Sequence, residues 1–480
     1  MADKAPDLPA QPSPSAPAKV RPWQVFAHRD YTMLWSSGVT MQVSMNLRNL
    51  ATAQWLFHSA DSVAGGAARL GILGLFQLLP IPITLFGGAL ADTMDRKRLM
   101  VITQSIFLLA LVGLTISSAA GALASWQIFA ATGLTGVVGA LGNAARPAMV
   151  SRVVPKSEIP HAVTMNTSTM QVGGILAPLL FSVVYSVFGV TVTLAVASAL
   201  TFASVLTPML IRASGAPDGG TRRISPQILV QGWGFVLKHP ILPGLYLLDI
   251  GVTVVSFYRE LFPIFTTQLY DCRTTAALDE CARQVGWLSS TNAAGALIGS
   301  LLVFFTSRVQ RKGLLVIWAS LIYGLLLFAF GFNHNLWLGM LIVVGLGMSD
   351  AVTMTMRQAI VQLTTPDAML GRASSAHSFA AMGANQLGKV EVAFMSASVG
   401  AGPTMLIGGV VAVLVVGVIW NRMPGVRKYR YVESLAYGGD GRGGPQGGHA
   451  PPAPTPPTAH GPPVVPNPSP SPVPPGRGSG

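Results

Sequence analysis

Seven ionisable side chains stand inside stretches that are otherwise apolar: Arg48, Asp249, Arg259, Glu260, Asp350, Lys389 and Glu391. Carrying charge into hydrocarbon is costly, so such a residue is a functional candidate by default. A carboxylate at that depth is suited to exchanging a proton with one side of a membrane at a time. Asp350, Asp249, Glu391 and Glu260 are therefore the proton-coupling candidates. Asp350 ranks first because Gly345 and Gly347 leave room for water or substrate beside it. Asp249 stands at similar depth, and the two are expected to form a mutually repelling pair. Lys389 is a candidate fixed partner for Glu391. Arg48, Asn49, Gln42, Asn385, Gln386 and Lys389 are polar groups suited to contacting a substrate. The competing reading is purely structural: Arg48 ion-paired with Glu260 or Glu391, joining helices and nothing more. The catalytic spacings H-E-x-x-H, G-x-S-x-G and G-x-x-x-x-G-K-[ST] do not occur in the sequence. That excludes the corresponding enzymes and ATP-driven transport, and leaves an ion gradient as the energy source. No cofactor and no metal site is expected.

The elements holding these residues follow from composition. Only 10% of the 480 residues are charged, against about 25% in a soluble domain. Mean hydropathy is +0.52, which with the missing charge indicates an all-α integral membrane protein. Stretches long enough to span lie near 31–57, 68–91, 99–121, 125–146, 163–187 and 190–211. A second set lies near 242–267, 285–307, 313–333, 335–357, 373–396 and 402–421, making twelve transmembrane helices. With both termini cytoplasmic, the inner loops receive Arg96, Lys97, Arg98, Arg146, Arg152, Arg357, Arg372 and most other basic residues. The outer loops receive only Arg69, Arg273 and Arg283. The net charge of +13 is thus topological and calls for no nucleic acid.

The chain divides into a disordered leader (1–22), a six-helix bundle (23–212), a cytoplasmic loop (213–240), a second six-helix bundle (241–425) and a Pro/Gly-rich disordered tail (426–480). Within the loop, Ile228–Leu237 has the pattern of a short amphipathic helix. The halves repeat: Arg146-x8-Pro155 matches Arg357-x8-Pro366 at an offset of 211, which Gly136 and Gly347 share. Glycines at 133, 136, 139 and 142 suggest close helix packing. Cys272 and Cys281 fall in an outer loop, on the oxidising side, and are expected to form a disulfide; two free thiols are the alternative.

Gly88-Ala-Leu90-Ala-Asp92-Thr-Met-Asp95-Arg96-Lys97-Arg98 resembles the loop signature of the major facilitator superfamily, with Asp95 where many members have a second Gly. His28-Arg29-Asp30-Tyr31-x3-Trp35 and Arg357-Gln358-x7-Pro366-Asp367-x3-Gly371-Arg372 resemble the branch of enterobactin exporters and macrolide-efflux proteins. Gly173-Gly174-x2-Ala177-Pro178 departs from the Gly-Pro antiporter motif by its Ala. The resemblance covers about residues 23–425 and implies two six-helix bundles with alternating access to a central cavity. It implies gating roles for Gly88, Leu90, Asp92, Arg96, Lys97 and Arg98, with Asp92 clamping the bundles in one state.

The expectation is a proton-coupled, monomeric exporter of a small organic molecule, siderophore- or drug-like, embedded in the lipid of the bacterial inner membrane. An importer or facilitator of the same fold, and a polytopic sensor or assembly protein, are the alternatives. Asp92→Asn keeps shape and removes charge, so it is expected to weaken transport while membrane insertion is retained. Unchanged flux and unchanged cavity accessibility would reduce the motif to a stop-transfer cluster.

Overall fold

A computed structural model describes residues 22–84, 94–142, 145–216, 234–270, 272, 278–306, 310–365 and 367–428. All of them fall in one compact unit that ends at Tyr431. Among the described residues the regular structure is entirely helical. The first half of the chain contributes α1 (Arg29–His58), α2 (Val63–Phe76), α3 (Arg96–Ala119), α4 (Ser125–Gly142), α5 (Ala145–Val153) and α6 (Ile159–Met209). The second contributes α7 (Leu242–Val254), α8 (Phe262–Gln268), α9 (Leu278–Thr306), α10 (Lys312–Phe332), α11 (Leu336–Thr364), α12 (Asp367–Val399) and α13 (Ala401–Arg422).

Seven helical stretches among the described residues are long and apolar enough to cross a membrane. Helices α1, α9 and α12 have the length, at 30, 29 and 33 residues, but polar side chains dilute their apolar character. The stretch expected over 242–267 is not one helix. Helix α7 ends at Val254, a single 3-10 turn covers Arg259–Leu261, and α8 restarts at Phe262. Pro263 lies in the first turn of α8, where its missing N–H is no loss; in a continuous helix it would break the ladder. The segments expected over 163–187 and 190–211 are two helices that meet within Ile159–Met209 at a non-helical turn, Gly189, whose φ of +73° suits glycine. Of the helix expected over 228–237, residues 228–233 lie outside the described residues, and 234–238 are helical.

At one end of the molecule the two halves of the chain share a single apolar core. It unites Leu47, Phe57, Leu70 and Phe181 with Phe262, Leu288, Val343 and Val392. This end carries a disulfide between Cys272 and Cys281, both buried. Small residues permit the approach of the halves. A methyl added at Gly71 would lie 2.8 Å from the Phe394 ring, and one at Gly74 would lie 3.0 Å from Val390. These contacts join α2 to α12, while Gly286 of α9 sits against Pro178 and Ser182 of α6.

At the other end, rich in arginine and lysine, the cores are separate. Tyr31, Leu99, Met149 and Val153 belong to one; Leu242, Val316, Ile360 and Ile419 belong to the other. Side chains of the first-half motif fasten that end. The Tyr31 hydroxyl donates to the Ala162 carbonyl at 2.8 Å and Trp35 Nε1 to the Met165 carbonyl at 3.1 Å. The Asp30 carboxylate accepts from the backbone N–H of Arg212 and Ala213.

The disulfide closes a loop of ten residues, which stabilises the fold by about 2–3 kcal/mol in the chain-entropy account. Replacing both cysteines by alanine is expected to lower the unfolding midpoint of the purified protein. Alkylation before reduction is expected to leave both sulfurs unmodified, and full modification of unreduced protein would rule the bridge out.

Candidate functional site

The two leading carboxylates do not face each other. Each takes its own arginine. Asp249 of α7 accepts from Arg357 of α11 at 2.7 Å, and both side chains are only 9% exposed. Asp350 of α11 pairs with Arg259, in the 3-10 turn between α7 and α8. This corrects the expected Asp249–Asp350 repulsion: in a low dielectric an opposite charge is far better company than a like one. It also moves Arg357 out of the inner loops, because α11 continues to Thr364 and carries the guanidinium inside the bundle. Both pairs bind the broken seventh segment to α11.

Beside the break lies a small cleft of about 30 Å³. Tyr258, Arg259, Tyr323, Asp350, Arg357 and Asn385 contribute to its walls. The Tyr258 oxygen accepts from Asn292 Nδ2 at 2.6 Å. Tyr323 donates to the Ser256 carbonyl at 3.2 Å, serving a backbone group that the break in the helix leaves without its usual partner. The sequence singled out Asp350 and Asn385 for this cleft. It missed Arg357, Tyr258 and Tyr323, and gave Arg259 no partner. The one usable signal was the Arg-x8-Pro repeat. Arg146 donates to the Leu34 carbonyl of α1 at 2.8 Å, while its repeat mate Arg357 binds Asp249 of α7. The same position holds a neutral acceptor in one half and a carboxylate in the other.

Lys389 forms a second polar knot, nearer the shared core. Its ammonium donates at 2.7 Å to Oε1 of Gln77, the residue that ends α2, and meets Glu260 at 2.6 Å, with the Phe257 ring 5.3 Å away. It is thus the partner of Glu260 and not of Glu391, because residues two apart on a helix point to different faces. One carboxylate oxygen of Glu391 and the Gln386 carbonyl oxygen are buried without a hydrogen-bond partner among the described residues. Arg48 sits in neither proposed ion pair. Its guanidinium donates to Thr135 at 2.6 Å and to Asn49 at 2.8 Å and lies over the Phe107 ring. Gln42 packs against Gly173, which places the first glycine of the 173–178 motif at the α1–α6 contact.

Of the loop signature, Gly88, Leu90 and Asp92 lie outside the described residues. Its basic part is fixed to the chain that follows α6: Lys97 Nζ donates to the Ile211 carbonyl at 2.7 Å and the Arg96 N–H to the Gly215 carbonyl at 2.9 Å. Asp95, the departure from the family pattern, caps α3 by accepting from the Arg98 N–H at 3.0 Å. In the fourth-segment stripe, Gly136 packs on Pro80 and Gly142 on Thr103, whereas Gly139 meets nothing. Ahead of α7, burial pushes the His239 pKa down, opposed by a hydrogen bond to the Thr364 backbone. His239 Nδ1 accepts from the Ile241 and Leu242 N–H groups, a role for the neutral ring.

The profile described as Major Facilitator Superfamily matches residues 31–278, and one described as uncharacterised MFS-type transporter YbfB matches 264–439. The enterobactin exporter EntS of Shigella boydii serotype 4 (strain Sb227) is 26% identical over 357 residues, covering 72% of this chain and 78% of the exporter. The EntS protein of Escherichia coli O81 (strain ED1a) matches to the same extent. Among solved structures, a mutant form of the nucleoside transporter NupG superposes with a TM-score of 0.67 at 12% identity, covering 82% of this chain and 99% of that one. A bacterial homologue of the human lysosomal transporter Spinster gives 0.62 at 13% identity, covering 86% and 100%. These structural likenesses concern the fold.

Removing one member of a buried pair strands a charge. Arg357→Met is expected to destabilise the protein by about 3–5 kcal/mol. Combining it with Asp249→Leu is expected to recover much of that loss in unfolding of the purified protein. Additive losses would mean that the pair is not coupled.

Proposed function

The chain belongs to the major facilitator superfamily, and on that premise we propose that it is a proton-coupled exporter of a small organic molecule across the bacterial inner membrane. Membership makes it a membrane transporter and not an enzyme. The finer reading is ours: twelve spans in two six-helix bundles, both termini cytoplasmic, the disulfide end outward, and a monomer as the working unit. A siderophore- or drug-like substrate and the outward direction are supported by the likeness to enterobactin exporters.

The observation that carries the reading is the arrangement of the cores. A single core joins the halves at the disulfide end, and separate cores serve them at the basic end. Such a molecule is closed on one side and able to part on the other. Exchanging which end is joined would give alternating access to the space between the halves, onto which the cleft, lined from the second half, would open. Asp350 lines that cleft and Asp249 does not, which supports Asp350 as the proton site and gives Asp249 a structural duty. Protonation of Asp350 would release Arg259. Glu260 and Glu391 are secondary candidates, Glu260 because Lys389 holds it in this state. Gly88, Leu90, Asp92, Arg96, Lys97 and Arg98 are proposed to gate the basic end.

Purified protein in vesicles with an imposed pH gradient tests this. Asp350→Asn is expected to abolish accumulation against a gradient while sparing substrate exchange at equal concentrations. Uphill pumping by that variant with normal pH dependence would remove Asp350 from coupling. Flux toward the basic end alone would reverse the direction to import.

A further inference from the structure

We propose that the cleft selects an anionic solute, and that a carboxylate or comparable oxyanion of the transported molecule takes Asp350's place on the Arg259 guanidinium. This rests on the reading of the cleft as the transport site and adds the chemical class of the cargo.

The first support is the broken helix. Irregular backbone at membrane depth persists where it is buried in protein or lines a cavity. Here the break delivers Phe257, Tyr258 and Arg259 to the wall of the cleft. The second is exposure. In the Arg259–Asp350 pair the arginine side chain is 47% exposed and the aspartate 28%. The arginine side chain is therefore the more open member of the pair, and one carboxylate does not occupy all five of its N–H donors. Its planar fork matches a second carboxylate in bidentate geometry.

The third support is the charge of the wall. Two guanidinium groups, Arg259 and Arg357, line the cleft with one carboxylate, Asp350. Asp249 neutralises Arg357 from outside the lining, and the nearby Tyr258 oxygen already accepts from Asn292. Its hydroxyl proton and the Asn385 amide remain as uncharged donors toward an acceptor ligand.

The fourth is what each exchange leaves behind. An anion on Arg259 frees Asp350, which a proton can neutralise. A cation on Asp350 would free Arg259, which cannot lose its charge and would stand in a wall holding a second guanidinium. Only the first exchange leaves a neutral remainder, because Asp350 can take up a proton and Arg259 cannot give one up.

Benzoate, benzamide and benzylammonium share a ring and differ in charge, and they are the probes. Binding to the purified full-length protein is followed by ligand-observed NMR, and by mass spectrometry of Arg259 protection from phenylglyoxal. Benzoate is expected to bind and to protect Arg259, and the other two are not. Asp350→Asn removes the competing carboxylate, so benzoate is expected to bind about tenfold more tightly, the factor that one charge-assisted hydrogen bond supplies. Arg259→Gln is expected to abolish benzoate binding, and Arg259→Lys, which keeps the charge and loses the fork, to weaken it. Benzylammonium binding that disappears in Asp350→Asn would overturn the proposal. So would benzoate binding that weakens in Asp350→Asn, or that is absent from both wild type and Asp350→Asn. Size-exclusion profiles matching wild type certify the variants as folded. The premise fails separately: benzoate bound with the expected signs, without gradient-driven flux of any solute in vesicles, would sink the transport reading and leave the anion site standing. Flux of neutral and basic solutes with no benzoate binding would sink the anion site and leave transport standing.

Discussion

Charge carried into an apolar helix bundle has to be neutralised there, and in this protein that requirement decides which helices lie side by side. Asp249 and Asp350 would each be costly alone. Arg357 and Arg259 make them tolerable, and in doing so they hold the broken seventh segment against α11. Lys389 answers Glu260 from its own half of the chain and Gln77 from the other, so one ammonium spans both. Arg48 meets the same requirement without an ion pair, through a hydroxyl, an amide and the face of Phe107. Each solution needs a partner from a different helix or from the helix end beside it, which makes helix packing and charge placement one problem.

Burial separates the two arginine–aspartate pairs by role. The Asp249–Arg357 pair is almost closed to solvent, where exchange with a solute or a proton would be slow and breaking it costly. The Arg259–Asp350 pair borders the cleft and is partly exposed, so its members can change partners without unpacking the bundle. Chemistry and scaffold thus use the same residue types about two turns apart along α11, divided by access to open space.

Alternating access asks for two faces of similar strength, each able to close. Close approach of α2 to α12 and of α6 to α9 rests on glycines facing a ring, an aliphatic chain or a proline. Those contacts bury apolar surface and make few directional bonds, so they can part without stranding many polar groups. The basic end is organised differently: within the first half, Tyr31, Trp35, Asp30 and Lys97 fasten helix ends to carbonyl and N–H groups of the same half. That stiffens one half as a unit and leaves its relation to the other free.

Composition and periodicity determined much of this. Scarce charge and long apolar runs dictate a helical membrane protein, because only helices satisfy their own backbone in hydrocarbon when no barrel pattern is present. The ionisable and polar residues in those runs marked Asp350 and Asn385, which do reach the cleft, since charge or polarity at that depth must have a reason to be there. Pairing was not legible. Lys389 and Glu391 are neighbours in sequence yet face apart on α12, while Lys389 and Gln77, 312 residues apart, are in contact. The break at 255–261 was hidden as well, because long apolar runs flank it on both sides and only Arg259, Glu260 and Pro263 hint at it. Which carboxylate is open to the cleft and which is sealed against an arginine depends on how helices distant in sequence are brought together, and the tertiary structure alone decides that.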